Sequence, residues 1–223
     1  MYDWRLVMSD YQLFAPSTQN LPVPEVSRVV LAHQWEELAR PGTWWTGEQR
    51  IDIASVGRAA RRNLPEPDAN SINHVVKEAA KLVAIDAGSI TEAMVEGFVA
   101  DGLSPLHYVE LVGIIARTVA IDTATVGLGN GLEPYLPAEP GMPADAVVQG
   151  AKKRSAWVPM LGAAGATSAL SAVAAEDRAQ EQLHGALYLS YQEMGNWSIN
   201  KGLSRSQMEL MAARTSLLND CYF

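Results

Sequence analysis

Glu209 and Cys221 are separated by twelve positions, and Cys221 is the single cysteine in the chain. A cysteine acts as a nucleophile only as its thiolate, so its chemistry depends on whatever lowers its pKa. Twelve residues is a little over three helical turns, a spacing that puts the carboxylate and the thiol on similar faces of a helix that spans both. Asn219-Asp220 between them has the residue types that end one helix and cap another. With Asp220 as an N-cap, Cys221 falls in the first turn of the next helix, where free amides and the macrodipole favour a thiolate. Taken singly, a terminal cysteine is a small hydrophobe and a helical glutamate is a solvated acid. Their register is what makes them candidates.

Other side chains with chemical capacity are fewer. His107 and Glu110 stand three apart, the spacing of an acid–base or metal pair on one helix face. His33, His74 and His184 have no ligand-spaced partner, so the sequence calls for no metal and no cofactor. Trp44-Trp45 is an aromatic pair suited to a pocket wall, a core or a subunit contact. The glycine-rich run from Gly127 to Gly131 follows a helical pattern rather than a strand, which excludes a phosphate-binding loop.

These residues sit on elements that read almost entirely as helix. Apolar positions from Glu25 to about Arg40 share one side, and Pro41-Gly42 ends that run. Thr46 with Gln49 matches a capping box for a helix to about Arg62. Ser71 is placed to cap a third helix carrying Ile72, Val76, Ala79 and Ala80, and Ser89 a short fourth. Ser104-Pro105 opens a long apolar helix to about Val126. Residues 128–156, rich in glycine and proline, read as a connection. Two helices are expected at about 166–175 and 176–194, and Ser204 with Gln207 opens a last one through Leu218.

Gly102-Leu103-Ser104 and Gly202-Leu203-Ser204 announce a repeat, each followed by a Glu-Leu and an Ala-Arg-Thr. The expected fold class is therefore all-α, one domain of two pseudo-repeated helical halves, about 24–127 and about 157–223, the second incomplete at its end. Asp122 takes the place of the cysteine in the first half, which marks that copy as structural. The 223 residues carry a net charge of -8, with acids and bases interspersed, so nucleic acid and anionic membrane are unfit partners. No stretch of 18 apolar residues and no basic-then-apolar leader is present, and a single cysteine suits a reducing compartment, so the expected location is cytoplasmic.

The C-terminal stretch from Leu203 to Phe223 resembles the carboxymuconolactone decarboxylase and alkylhydroperoxidase-D-like superfamily, in its peroxidase-related branch. The segment Pro41-Gly42-Thr43-Trp44-Trp45-Thr46-Gly47-Glu48-Gln49-Arg50 supports the likeness, as do Gly102-Leu103-Ser104-Pro105 with Tyr108-Val109-Glu110-Leu111-Val112-Gly113, and Trp157-Val158-Pro159. In that family a glutamate is followed twelve residues later by Cys-x-x-Cys and then by a histidine. The resemblance implies that Glu209 is the relay carboxylate and Cys221 the resolving thiol. It places the nucleophile and the histidine beyond Phe223. It further implies an antioxidant peroxidase that reduces a hydroperoxide at the expense of a dithiol donor, commonly as a homo-oligomer, and a chain to Phe223 that is nearly inactive. Some members of the branch carry selenocysteine, so the residue three after Cys221 is expected to be selenocysteine, its UGA codon read as stop. Sequencing the gene past the Phe223 codon separates this from deliberate truncation or an omitted tail. A lactone-acid decarboxylase and a non-catalytic oligomeric scaffold are the alternatives.

Overall fold

The computed structural model describes residues 23–219, which form an all-α fold. Among them are seven α-helices: α1 Glu25–Leu38, α2 Gly47–Arg62, α3 His74–Asp86, α4 Glu92–Ala100, α5 Pro105–Gly127, α6 Ala174–Leu187 and α7 Arg205–Leu218. The central element is α5, which packs against α1, α2, α3 and α6. Its buried Leu111, Ile114, Ile115 and Ile121 meet Leu31, Trp35 and Leu38 of α1, Ile53 and Val56 of α2, Val76 and Ala80 of α3, and Leu183 of α6 in one core. None of the described helices is long and apolar enough to cross a membrane.

Helix starts follow the capping chemistry closely. Thr46 accepts the Gln49 N–H while Gln49 reaches back to the Thr46 N–H, and Ser204 and Gln207 do the same for α7. Ser104 caps α5, with Pro105 at its first position. Two expected caps are displaced. The amide and hydroxyl of Ser71 are both given to Asp52, so Asn73 caps α3 instead. Ser89 lies in a 3-10 turn, and Thr91 caps α4.

The two helices expected over 166–194 are one, α6. Before it, Leu170, Ala172 and Val173 turn inward against Val109 in a small second cluster, held by turn hydrogen bonds rather than a helix ladder. After it, the His184 ring binds the Leu189 carbonyl and the chain turns out of helical geometry at Tyr188. The connection after α5 contains no helix from 128 to 165, and it is tied down rather than loose. Glu139 donates to the Ala39 carbonyl, Ala144 to Gly42 and Asp145 to Thr43. Tyr135 stacks on Trp35, with the Arg58 guanidinium 4.1 Å from the Tyr135 ring centre.

The repeated Gly-Leu-Ser segments give the same serine cap and little else in common. The 23-residue α5 is buried along its length, whereas the 14-residue α7 buries only Arg205 and Met208. The pseudo-symmetry of the halves is thus not visible in the environments of these two helices.

Candidate functional site

Glu209 lies one turn into α7, four residues after Arg205. The Arg205 Nε donates to Glu209 Oε1 at 2.5 Å. The rest of that guanidinium is fixed by the carbonyls of Met194 and Asn196 and stands over the Trp197 ring. Tyr188, just past α6, donates its hydroxyl to the same Oε1 at 2.7 Å. These two hydrogen bonds, Tyr188 first and Arg205 second, hold the Glu209 carboxyl below its ordinary range, so it is ionised at neutral pH. Oε2 carries no hydrogen bond among the described residues. The side chain is 40% exposed, leaving that second oxygen open to a further donor. His184 sits edge-on to Tyr188 with ring centres 5.4 Å apart and bears on Tyr191 as well.

Asn219 ends α7 as the residue type suggested: its amide N–H and side-chain amide both return to the Thr215 carbonyl. Cys221, the other candidate, lies outside the described residues, as does Asp220. Sequence reasoning did not find Tyr188 or Arg205. Arg205 was legible as an i,i+4 partner of Glu209, but Tyr188 is 21 residues upstream and is brought in only by the turn after α6.

The first-half pair, His107 and Glu110, is not a pair. Glu110 is fully buried and its carboxylate makes none of the His107 contacts. It is bonded to Arg50 Nη1, and its Oε2 accepts the Trp44 amide at 2.6 Å. Arg50 also reaches Glu176 at 3.0 Å, and the other oxygen of Glu176 accepts from Arg117 at 2.7 Å. Four charges from α2, α5 and α6 thereby form one buried network. Burial pushes Glu176 upward, but Arg117 and Arg50 outweigh it and hold the carboxyl below its ordinary range. Burial prevails at Glu110, whose pKa is raised despite Arg50. Two glycines make room for the network. A Cβ on Gly42 would stand 1.9 Å from Glu110 Oε1, and one on Gly113 would stand 2.7 Å from the Glu176 side chain. Asp122 is likewise structural, receiving Arg58 through both oxygens at 2.9 and 2.6 Å.

His107 is held elsewhere. Its Nδ1 is 2.7 Å from Ser104 Oγ, Trp45 meets its ring edge-on at 4.8 Å, and Trp44 lies at 5.5 Å. Burial lowers its pKa, with Asp145 opposing, so the imidazole is neutral at pH 7. No family model, curated protein or solved structure matches this chain, so its chemistry is read from its own side chains.

Proposed function

We propose that this chain contributes the relay carboxylate and the resolving thiol to a thiol- or selenol-dependent hydroperoxide reductase of the alkylhydroperoxidase-D-like kind. The supporting observation is Glu209: an ionised carboxylate anchored through Oε1 by Tyr188 and Arg205, with Oε2 open, on a helix that ends at Asn219, two residues before Cys221. A relay carboxylate needs this arrangement, one oxygen fixed to the protein and one available to orient an imidazole. In the reaction, a thiolate or selenolate attacks the peroxide, forming an S–O or Se–O bond as the O–O bond breaks, and the departing alkoxide takes a proton. The Cys221 thiol then attacks the oxidised centre, forming a disulfide or selenosulfide and releasing water. A dithiol donor reduces that bond and restores both groups.

Peroxide consumption with dihydrolipoamide tests the proposal. A chain extended to carry a cysteine three residues after Cys221 and a histidine four residues later is expected to turn over, and the 223-residue chain is not. Glu209→Gln in the extended chain is expected to lower the rate by about two orders of magnitude, the scale of lost general-base assistance. Equal turnover with and without the extension, or a rate indifferent to Glu209→Gln, would sink the reading.

A second reading, a non-catalytic oligomeric scaffold, draws on the outer side of α7. Met211 and Leu218 are exposed, joined by Leu210 and Leu217, while Met208 is buried within the fold. Assembly and redox chemistry are compatible, and homo-oligomerisation is part of the proposal.

A further inference from the structure

A half-open cavity of about 340 Å³ lies between the first turn of α2, the approach to α3 and the first turn of α5, remote in sequence from Glu209. Its volume is at the lower end of the roughly 300–1,000 Å³ typical of small-molecule sites. Trp45, Ile72 and Val76 supply apolar wall, and all three are buried in the core, so this surface is rigid. No lysine, arginine, aspartate or glutamate lines it.

The polar groups on the wall have capacity left over. His107 is fixed on every side but one. Ser104 Oγ accepts the His107 backbone N–H at 3.3 Å and lies 2.7 Å from Nδ1, and we assign its hydroxyl as the donor in that second contact. The ring proton then resides on Nε2, which has no hydrogen-bond partner among the described residues. Trp45 locks the arrangement by donating its indole N–H to the carbonyl of His107 itself at 3.1 Å. Asn73 spends its Oδ1 on the Val76 amide, and its Nδ2 donors have no partner among the described residues.

We propose that this cavity binds a small, uncharged, mainly apolar molecule through a carbonyl-type oxygen that accepts hydrogen bonds from His107 Nε2 and Asn73 Nδ2. The donors make an acceptor the complementary group, and the apolar wall makes a hydrocarbon body the complementary remainder. A carboxylate fits less well, because it would leave water without a counter-charge in the lining. This inference is independent of the redox reading.

Cyclohexanone and sodium cyclohexanecarboxylate are suitable probes, titrated into the 223-residue protein while the tryptophan indole and histidine imidazole NMR signals are followed. Cyclohexanone is expected to shift one imidazole and the Trp45 indole saturably, with a dissociation constant on the order of 1 mM, and the carboxylate to bind at least about tenfold more weakly. His107→Phe keeps the ring stacking and removes Nε2, and it should weaken cyclohexanone binding about tenfold at the Trp45 signal. Val76→Phe fills the cavity and should abolish the response. The proposal is overturned by a non-saturable response, by carboxylate binding as tight as the ketone, or by unchanged affinity in His107→Phe. Those three outcomes decide the matter even where Val76→Phe fails to fold.

Discussion

A buried carboxylate and an exposed one make different demands on the side chains around them, and this chain has one of each kind at Glu110 and Glu209. At Glu209 the two donors lower the pKa, so the ionised form is favoured by the fold. The contribution is present above the unfolded carboxyl value near 4.3 and is lost as pH falls through the folded value. With the group well exposed, the energy is small and the positional effect matters more. Tyr188→Phe should therefore raise the Glu209 pKa toward the ordinary range with little change in stability. Carboxyl carbon NMR titration reads this directly, and an unmoved titration would mean that Tyr188 does not hold the group.

Glu176 is the opposite case. Replacing it with Gln leaves Arg117 without its carboxylate and half-strips Arg50, both buried, which is expected to cost about 3–5 kcal/mol in urea denaturation at pH 7. Because its folded pKa is depressed, that difference should begin to narrow as pH falls below the unfolded carboxyl value of about 4.3 and should vanish only once pH has passed below the folded value. Glu110→Gln should cost less. Its pKa is already raised, and an amide oxygen can still accept the Trp44 N–H. A larger loss for Glu110→Gln than for Glu176→Gln would contradict this ranking.

Between elements, the decisive contact is α5 on α6. Alanine is a better helix former than glycine by about 1 kcal/mol, so Gly113→Ala would stabilise an isolated α5. In the fold, the added methyl meets the Glu176 side chain at 2.7 Å, and overpacking of this sort costs about 1–3 kcal/mol. The net expectation is a lower Tm, and a raised one would show that α6 has room to shift. The cap of α7 should behave differently from those of the core helices. Ser204→Ala removes a capping bond worth about 1 kcal/mol, yet the helix buries only two residues. Faster amide exchange confined to α7, with an unchanged global unfolding midpoint, is the expected outcome of hydrogen-exchange measurements.

For the whole molecule, one core joins α1 through α6, while among the described residues α7 hangs at the periphery on Arg205, Met208 and the Tyr188 bond. Such a helix can serve an assembly without endangering the fold. Leu210 and Leu217 are seven apart on its outer side, both exposed. If copies associate there, Leu210→Glu with Leu217→Glu should lower the apparent mass in sedimentation while leaving the unfolding midpoint unchanged. An unaltered mass would place any association elsewhere.

The all-α class, the extents of α2 and α5 and the caps at Thr46, Ser104 and Ser204 were legible in the amino-acid sequence, because a cap and an apolar period act within a few residues of each other. Ser71 and Ser89 misled because a hydroxyl suited to capping has other acceptors: Ser71 gives its own to the distant Asp52 carboxylate and Ser89 to the Asp86 carbonyl. The candidacy of Glu209 came from the sequence. That its carboxylate is tethered by Tyr188 came from the turn after α6, which no local pattern announced. Glu110 and His107 stand three apart in sequence, yet one is sealed with Arg50 and the other is exposed to a cavity. The sequence supplied the residues and their helix. Only tertiary packing, by setting which side chains lose water and which partner compensates them, decided that Glu110 is structural and that His107 keeps a free nitrogen.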